Sequence, residues 1–217
     1  MSRKIVSVVD FVETLRGFES QPITSSMVAE FCLDHEIAAA SLRDYCHFQA
    51  NAYTRNLVYR DEFFEVIALC WSPHQRTPIH SHNGQLGWMC VERGALAVIE
   101  YEWQGCNAPE NQNVVGMDCL AGATEMDLRR GPVQECVPGG GVALVDKKRT
   151  IHQVVTKGRE PAVSLHIYSK PIDSCVAFDL SRSMCYRRDI TYHSEYGNVV
   201  VSGADLPATP GSSVASA

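Results

Sequence analysis

The stretch "TPIHSHNGQLGWMCVERG", residues 77–94, decides how this sequence is interpreted. Two histidines, His80 and His82, stand one residue apart, and an apolar run then ends at Gly94. In an extended strand, residues i and i+2 point to the same face, so the two imidazoles project together. Such a pair can supply two ligands to one metal ion. It can also be an exposed polar edge or a pair of hydrogen-bonded histidines.

A third histidine follows downstream of a glycine-rich strand entry, "GGGVALVD" at 139–146, in the run "TIHQVV". This is His152, about seventy residues after His82. A paired histidine motif, a turn glycine and a later single histidine resemble the two-part cupin signature. That signature would place a glutamate near position 87, where this chain has Gly87. In the second part Gly141 and His152 fit, whereas three positions depart from the pattern: Lys147, Arg149 and Thr156.

The missing acid has a chemical consequence. Many mononuclear non-heme iron oxygenases use two histidines and one carboxylate. Three neutral imidazoles would leave a ferrous ion with its full double positive charge, which favours an anionic donor from the substrate, a thiolate above all. Zinc could occupy the same three histidines and lower the pKa of a bound water, so that alternative stays open.

Length and patterning predict one mainly β domain with helical decoration. The chain has 217 residues, 45% of them hydrophobic, which is enough for a substantial core. We predict a helical segment at 1–50 packed on a barrel domain at 51–200, with a flexible tail at 203–217. Thr24 to Ser26 offer helix caps. Short β-branched or aromatic runs predict strands at 64–71, 86–94, 95–103, 141–146, 152–156 and 162–169.

Composition and charge indicate which partners to expect. The net charge of -6 argues against a nucleic-acid partner. No run is long and apolar enough for a membrane span, and Asp10 and Glu13 interrupt the place where a signal peptide would have its apolar core. The nine cysteines lack CxxC spacing and are predicted to be reduced thiols. We therefore expect a cytoplasmic protein, monomeric or weakly homo-oligomeric.

The chain resembles the cysteine dioxygenase family of thiol dioxygenases. The resemblance is carried, in this order, by "YTRNLV" (53–58), "ALCWSPHQRTPIHSH" (68–82), "IHQV" (151–154) and "AVSLHIYSKPIDSCVAFD" (162–179). It implies a cupin barrel, also called a double-stranded β-helix or jelly roll, with Fe(II) inside. It also implies oxidation of a small thiol by O₂ to a sulfinic acid, with both oxygen atoms entering the product.

The resemblance assigns expected roles to individual residues. The expected iron ligands are His80, His82 and His152. The expected carboxylate-binding residue is Arg55. A hydrogen-bonded catalytic relay is expected at Ser164, His166 and Tyr168, and the resemblance places three more residues at or behind the substrate pocket: Tyr53, Trp71 and Cys175.

Physical arguments support two of these roles. Ser164, His166 and Tyr168 lie at i, i+2 and i+4, so one strand aims them at one face. The alternative is a polar outer face with the intervening apolar residues turned inward. Arg55 carries a planar guanidinium that can bind both oxygens of a carboxylate and keeps its charge. Its alternative is an ordinary surface arginine.

Two departures from the family pattern affect the expected chemistry. In animal members, position 87 would be a cysteine cross-linked to the tyrosine that matches Tyr168. Gly87 has no sulfur, so Tyr168 is expected to remain a free phenol. Lys170 replaces a proline found in many relatives, which leaves the substrate preference open.

L-cysteine is the leading substrate, since Arg55 is the residue type of that branch. The alternatives are 3-mercaptopropionate, which suits relatives with glutamine at that position, and mercaptosuccinate, for whose second carboxylate Arg76 and Lys170 are the candidate partners. Two other classes of protein remain in view. One is a non-redox metal cupin, an isomerase or hydrolase using zinc or manganese. The other is a ligand-binding or sensory cupin without turnover.

Overall fold

The computed structural model describes residues 3–82, 85–107, 125–145 and 150–200. The described helices are α1 Val8–Arg16, α2 Ser25–Asp34 and α3 Ala39–Leu42, with 3₁₀ turns at Gly17–Ser20 and Arg43–Tyr45. The described strands are β1 Lys4–Val6, β2 His35–Ile37, β3 Thr54–Arg60, β4 Glu65–Trp71, β5 Ile79–His80, β6 Gly87–Arg93, β7 Ala95–Cys106, β8 Met126–Cys136, β9 Ala143–Val145, β10 Ile151–Lys157, β11 Ala162–Tyr168, β12 Ser174–Asp179, β13 Met184–Asp189, β14 Ser194–Glu195 and β15 Asn198–Val199.

Two large sheets form the body of the protein. Within the described residues, the seven-stranded sheet has the order β15-β14-β3-β4-β11-β6-β9, and the six-stranded sheet has the order β13-β12-β5-β10-β7-β8. Their inner faces share one apolar core, to which Leu57, Ile67 and Leu69 come from the first sheet and Val98 and Val154 from the second. The prediction of a mainly β fold with N-terminal helices is confirmed.

The chain passes from one sheet to the other at Gly94, between β6 and β7. Its φ of +73° lies in the left-handed region that side chains rarely adopt. A Cβ at this position would also lie 2.8 Å from the Cα of Ala162. The predicted turn at Gly94 is therefore present, and both the backbone angle and the close approach require glycine.

The N-terminal helices cover the outer face of the seven-stranded sheet. Phe11 of α1 and Val28 of α2 belong to a second apolar core together with Trp88 of β6 and Leu165 of β11. The Trp88 indole Nε1 donates a hydrogen bond to the carbonyl of Ser25 at 2.9 Å. The helical segment thus shares a core with the barrel, although the predicted domain boundary near residue 50 stays a prediction. The predicted tail at 203–217 lies outside the described residues.

Local signals in the sequence explain much of this arrangement. Thr24 caps α2, since its Oγ1 accepts a hydrogen bond from the backbone N–H of Met27 at 3.3 Å, as predicted. The six predicted strand runs coincide with β4, β6, β7, β9, β10 and β11. The short parallel pair β1 and β2 was not predicted, because three-residue strands carry too little periodicity to be recognised.

Two further findings concern the membrane and the cysteines. None of the helices within 3–82, 85–107, 125–145 and 150–200 is both long and apolar enough to cross a bilayer. Cys32, Cys70, Cys90 and Cys175 are free thiols. Cys185, by contrast, is in a disulfide, so the prediction of reduced thiols was wrong there. Spacing along the chain holds no signal for a cysteine pair that only the fold brings together.

Candidate metal centre and its cavity

The three candidate ligands meet inside the barrel. His80 lies in β5 and pairs with His152 of β10 across the six-stranded sheet, while His82 follows β5 by two residues. The ring centroids are 4.9 Å apart for His80 and His82, 4.8 Å for His80 and His152, and 4.9 Å for His82 and His152. One ring nitrogen from each residue lies within 4.8 Å of the other two. These distances are short enough for one ion to contact all three.

Hydrogen bonding and burial prepare these imidazoles as ligands. His80 Nδ1 lies 3.0 Å from the carbonyl of Pro78. A carbonyl only accepts, so Nδ1 carries the proton and Nε2 keeps its lone pair, 3.1 Å from Nε2 of His82. Burial lowers the pKa of His80 to about 4. It also holds the pKa of His82 and His152 well below the usual range, with neighbouring imidazoles adding to the effect.

The donor set fits a divalent transition metal. Neutral imidazole nitrogen is a common ligand for zinc, iron and copper. Three protein ligands, rather than the four of a closed structural zinc site, leave coordination positions for a substrate. Position 87 contributes no carboxylate, because its residue is glycine. Gly87 is the first residue of β6 and is paired with Tyr168 of β11. An ion held here would keep its positive charge and would attract an anionic ligand.

A polar row lies beside these histidines. Ser164, His166 and Tyr168 are buried on the inner face of β11. The alternative arrangement does not occur, since Leu165 and Ile167 pack in the outer core against the N-terminal helices. Side chains alternate between the two faces of β11, and the helices cover its outer face. The polar row therefore lies on the inner face, inside the barrel.

Hydrogen bonds connect the row in a defined direction. The Trp71 indole Nε1 donates to Ser164 Oγ at 3.0 Å, and Ser164 Oγ lies 2.9 Å from His166 Nε2. His166 Nδ1 lies 3.3 Å from the Tyr168 hydroxyl. Because an indole only donates, the buried Ser164 proton is free to satisfy His166 Nε2. His166 then donates from Nδ1, which leaves the Tyr168 O–H available to a ligand.

The protonation states agree with that direction. Burial lowers the pKa of His166 to about 3, so its imidazole is neutral. Burial also raises the pKa of Tyr168, although the nearby Arg55 guanidinium opposes that shift. The phenol therefore keeps its proton at neutral pH and acts as a donor. Its ring also packs near the metal site, with a centroid 5.4 Å from that of His82.

Arg55 offers an unsatisfied cation to the same interior. Its Nε and Nη2 atoms are buried and have no hydrogen-bond partner among the described residues. Its guanidinium carbon lies 5.8 Å from the ring centroid of Tyr192, a cation–π contact. Two buried guanidinium nitrogens without an acceptor are costly, and a bound carboxylate would satisfy both of them.

A cavity of about 540 Å³ opens in front of this arrangement. Tyr53, Arg55, His80 and Cys175 line it, whereas Trp71 lies behind Tyr53, with stacked rings 4.7 Å apart. Trp71 thus contacts Ser164 and Tyr53 rather than the cavity. Burial raises the pKa of the Cys175 thiol, which keeps it in the neutral form.

The second-carboxylate suggestion for Arg76 and Lys170 finds no support in this geometry. Both side chains are exposed, and neither is among the described residues that line the cavity. Lys170 has a φ of +144°, which a proline ring cannot adopt, so this loop differs from one with proline at that position.

Four residues near the site were missed by sequence reasoning. Glu65 is fully buried and accepts hydrogen bonds from the hydroxyl of Tyr192 and the backbone N–H of Ile172. Arg60 donates to the Tyr192 hydroxyl at 2.9 Å. Arg188 lines the cavity. An acid inside the apolar run "FEVIALCW" was a usable signal for Glu65, whereas Tyr192 and Arg188 lie in segments that showed no motif.

Comparisons with known proteins identify the family to which this chain belongs. The family model "Cysteine dioxygenase type I" matches residues 1–181. The chain is 28% identical to "Cysteine dioxygenase type 1" of Rattus norvegicus over 194 residues, covering 88% of this chain and 80% of that protein. It is 29% identical to the Homo sapiens protein of the same name over 155 residues, covering 70% of this chain and 68% of that protein.

One solved structure similar to this chain is an uncharacterised protein with a double-stranded β-helix domain from Klebsiella pneumoniae. The two chains are 17% identical, with a TM-score of 0.35. The match covers 60% of this chain and 82% of that one.

Proposed function

The chain belongs to the cysteine dioxygenase type I family, and from that premise we propose that it is a ferrous enzyme converting a small carboxylated thiol to its sulfinic acid. The family and the three-histidine cluster make it a metal-dependent thiol dioxygenase. L-cysteine is the leading substrate. One observation carries the choice of a carboxylated thiol: Arg55, which has two unpartnered nitrogen atoms, lines the same cavity as His80.

The proposed reaction is balanced without a further reductant. A thiol R–SH and one O₂ give R–SO₂H, with two new sulfur–oxygen bonds and the O–O bond broken. Sulfur loses four electrons and O₂ gains four. No proton or electron from another cofactor is required, which agrees with a site that offers three histidines and a polar row.

Arg55 is the substrate-orienting residue in this proposal. Its two buried, unpartnered nitrogen atoms bind the carboxylate of the substrate, and its contact with the Tyr192 ring fixes the plane of the guanidinium. With the carboxylate anchored, the thiol is directed toward the nitrogens of His80, His82 and His152. Holding the reacting group in one geometry lowers the entropic part of the barrier.

His80, His82 and His152 would hold the ferrous ion, whose positive charge would favour the thiolate form of the substrate and whose redox chemistry would allow the thiolate to react with O₂. Tyr168 supplies the hydrogen-bond donor. Its phenol is neutral, and the Trp71–Ser164–His166 chain orients its O–H away from the strand and toward the ligand. Leu57 and Leu69 belong to the apolar core on the inner side of the seven-stranded sheet.

The test is an oxygen-uptake measurement on anaerobically prepared protein loaded with iron, zinc or manganese. We expect only the ferrous form to consume O₂ with L-cysteine, with one sulfinate formed per O₂, as measured by mass spectrometry. Sulfinate formation with zinc, or no O₂ uptake with ferrous iron and any carboxylated thiol, would contradict the proposal. The second result would favour a non-redox metal cupin instead.

The cysteines bear on the cellular location of the protein. Cys32 neighbours Cys90 and Cys46 neighbours Cys70, and all four thiols are free, although Cys185 is in a disulfide. Unjoined thiol pairs suit a reducing compartment, so we propose a cytoplasmic location. We further propose a monomer or weak homo-oligomer, built from a helical segment at 1–50 and a barrel at 51–200. Size-exclusion chromatography with light scattering tests the assembly.

A further inference from the structure

A second arginine, Arg188, shares the cavity with Arg55. Arg188 lies in β13 directly opposite Cys175 of β12. Residues that face each other in an antiparallel pair project from the same face of the sheet, and Cys175 lines the cavity. The neighbouring Arg187 projects from the other face, where its Nη1 donates a hydrogen bond to Ser174 Oγ. The register therefore directs Arg188 toward the open cavity, where its side chain stays exposed to solvent.

The same register relates Arg188 to the metal centre. His80 of β5 is paired with Ala177 of β12, two residues from Cys175. Cys175 and Arg188 thus form the next inward-facing row, about 7 Å along the strand direction from the row of His80. Arg55 belongs to β3 of the seven-stranded sheet, whereas Arg188 belongs to the six-stranded sheet. The two guanidiniums therefore approach the cavity from different sheets.

Neither guanidinium is neutralised by the protein. Among the described residues, neither Arg55 nor Arg188 forms an ion pair with a carboxylate. Asp189 is the acid nearest in sequence and also lines the cavity, but it pairs with Ser174 on the face where Arg187 lies. One substrate carboxylate satisfies Arg55 and leaves the positive charge of Arg188 unmatched.

The cavity is also large enough for a ligand bigger than L-cysteine. At about 30 Å³ per water molecule, its volume of about 540 Å³ holds more than a dozen waters. L-cysteine has only seven non-hydrogen atoms and carries one carboxylate. A compound that spans from the histidines to Arg188 needs more atoms and a second anionic group.

We propose that Arg188 binds a second carboxylate, which extends the substrate range beyond L-cysteine to small dicarboxylic thiols. This inference rests on the proposed thiol dioxygenase function, since it assigns the substrate of that same site. Arg55 and the histidines hold the reacting end of the molecule. Arg188 holds the far carboxylate, which is unchanged in the reaction.

A binding experiment tests the subsite without turnover. Succinate and propionate differ by one carboxylate and carry no thiol. Calorimetric titration of the zinc-loaded protein is expected to show succinate binding roughly fivefold to tenfold more tightly. In Arg188→Ala that difference should vanish, whereas Arg187→Ala should retain it. Equal binding of both acids to the unaltered protein would overturn the proposal.

Steady-state kinetics on the ferrous protein provide a second test of the subsite. Mercaptosuccinate differs from 3-mercaptopropionate by a single carboxylate. Arg188→Ala should raise KM for mercaptosuccinate roughly fivefold to tenfold with little change in kcat, while KM for 3-mercaptopropionate changes less than about twofold. Arg188→Lys should recover part of the loss. A KM increase of the same size for both thiols would indicate electrostatic steering alone and would reject the subsite.

The two arms separate the possible failures. If succinate binds preferentially through Arg188 but no thiol is oxidised, the subsite stands and the proposed function is wrong. If thiols are oxidised but neither arm depends on Arg188, the function stands and the dicarboxylate subsite is wrong. Thermal melting of each variant checks folding, and little change is expected because Arg187 and Arg188 are both exposed.

Discussion

Gly87 and Tyr168 face each other across the β6–β11 pair, and a Cβ placed on Gly87 would lie 3.1 Å from Tyr168 Cε1 and 3.2 Å from Cδ1. The position at which animal relatives are expected to carry a cysteine thus lies against the edge of the tyrosine ring. The contact is tight, so the ring must shift by a few tenths of an ångström to accept a side chain. We expect the phenol of Tyr168 to stay unmodified in this protein, because Gly87 offers no sulfur at this position.

Gly87→Cys is expected to introduce a cross-link. Its sulfur would lie beside the ring carbon next to the hydroxyl, and turnover with O₂ and a thiol should join the two residues with loss of two hydrogen atoms. Intact-mass measurement and peptide mapping report that loss. The double variant Gly87→Cys/Tyr168→Phe serves as the control and should show no such product. Recovery of unmodified Gly87→Cys after many turnovers would contradict the expected geometry.

Arg55→Gln should weaken the binding of carboxylated thiols. Losing a charge-assisted, bidentate contact costs about 2 kcal/mol, so KM for L-cysteine should rise roughly thirtyfold. Cysteamine has no carboxylate, and its kinetics should change little. Arg159→Gln, at an exposed loop arginine, provides the matched control. Equal effects on cysteine and cysteamine would show that Arg55 does not bind the carboxylate.

Tyr192 is expected to position Arg55 through its ring and to support Glu65 through its hydroxyl. Tyr192→Phe leaves the buried Glu65 carboxylate with one donor fewer, which should lower the free energy of unfolding by about 2 kcal/mol. KM should change little, because the ring remains. Tyr192→Leu removes the ring as well and should raise KM in addition. Urea denaturation and steady-state kinetics separate the two effects, and identical KM values would argue against a positioning role.

His152→Ala should abolish stable metal binding. Only two imidazoles would remain, and two neutral ligands hold a divalent ion poorly. Metal content after dialysis should fall below about a tenth of that of the unaltered protein. His47→Ala removes a histidine outside the cluster and should retain full occupancy. Far-ultraviolet circular dichroism checks that the barrel is intact. Full occupancy in His152→Ala would remove that residue from the ligand set.

Gly94→Ala should destabilise the barrel strongly. The substitution combines an unfavourable φ of +73° with a Cβ 2.8 Å from backbone Cα of Ala162. We expect a loss of about 3 kcal/mol and a Tm lower by roughly 10 °C. Gly158→Ala is the matched control, since its φ is +81° but nothing lies within 4 Å of the added Cβ. It should cost only about 1 kcal/mol. Similar losses in both variants would mean that the backbone angle alone sets the cost.

Sequence patterns predicted the parts of the site that lie on regular, motif-bearing strands. The period of two in β11 predicted that Ser164, His166 and Tyr168 share a face, and the His80–His82 spacing predicted a convergent pair. The third histidine needed the family resemblance, because nothing local marks His152 as a neighbour of His80. Their pairing arises from a contact between β10 and β5 that sequence distance conceals.

The residues that sequence reasoning missed lie where the chain has no repeating signal. β12 and β13 were not predicted as strands, so the inward direction of Arg188 was not visible. Arg76 and Lys170 were considered because they lie near the motifs in sequence, and both are exposed outside the cavity-lining set. Tyr192 is close to Arg55 only through tertiary packing. The register between strands, rather than proximity along the chain, determines which arginine side chains line the cavity.

The two-sided burial of β11 has a consequence for how this protein can vary. Its inward residues form the polar row beside the three histidines. Its outward residues, Leu165 and Ile167, belong to the core shared with the helices. Only β11 separates the helix core from Tyr168. A substitution that changes side-chain volume at Phe11 or Val28 is therefore expected to shift β11 and, with it, the Tyr168 hydroxyl. Altered helix packing should appear as altered turnover before it appears as unfolding, so the enzyme can be tuned from its exterior.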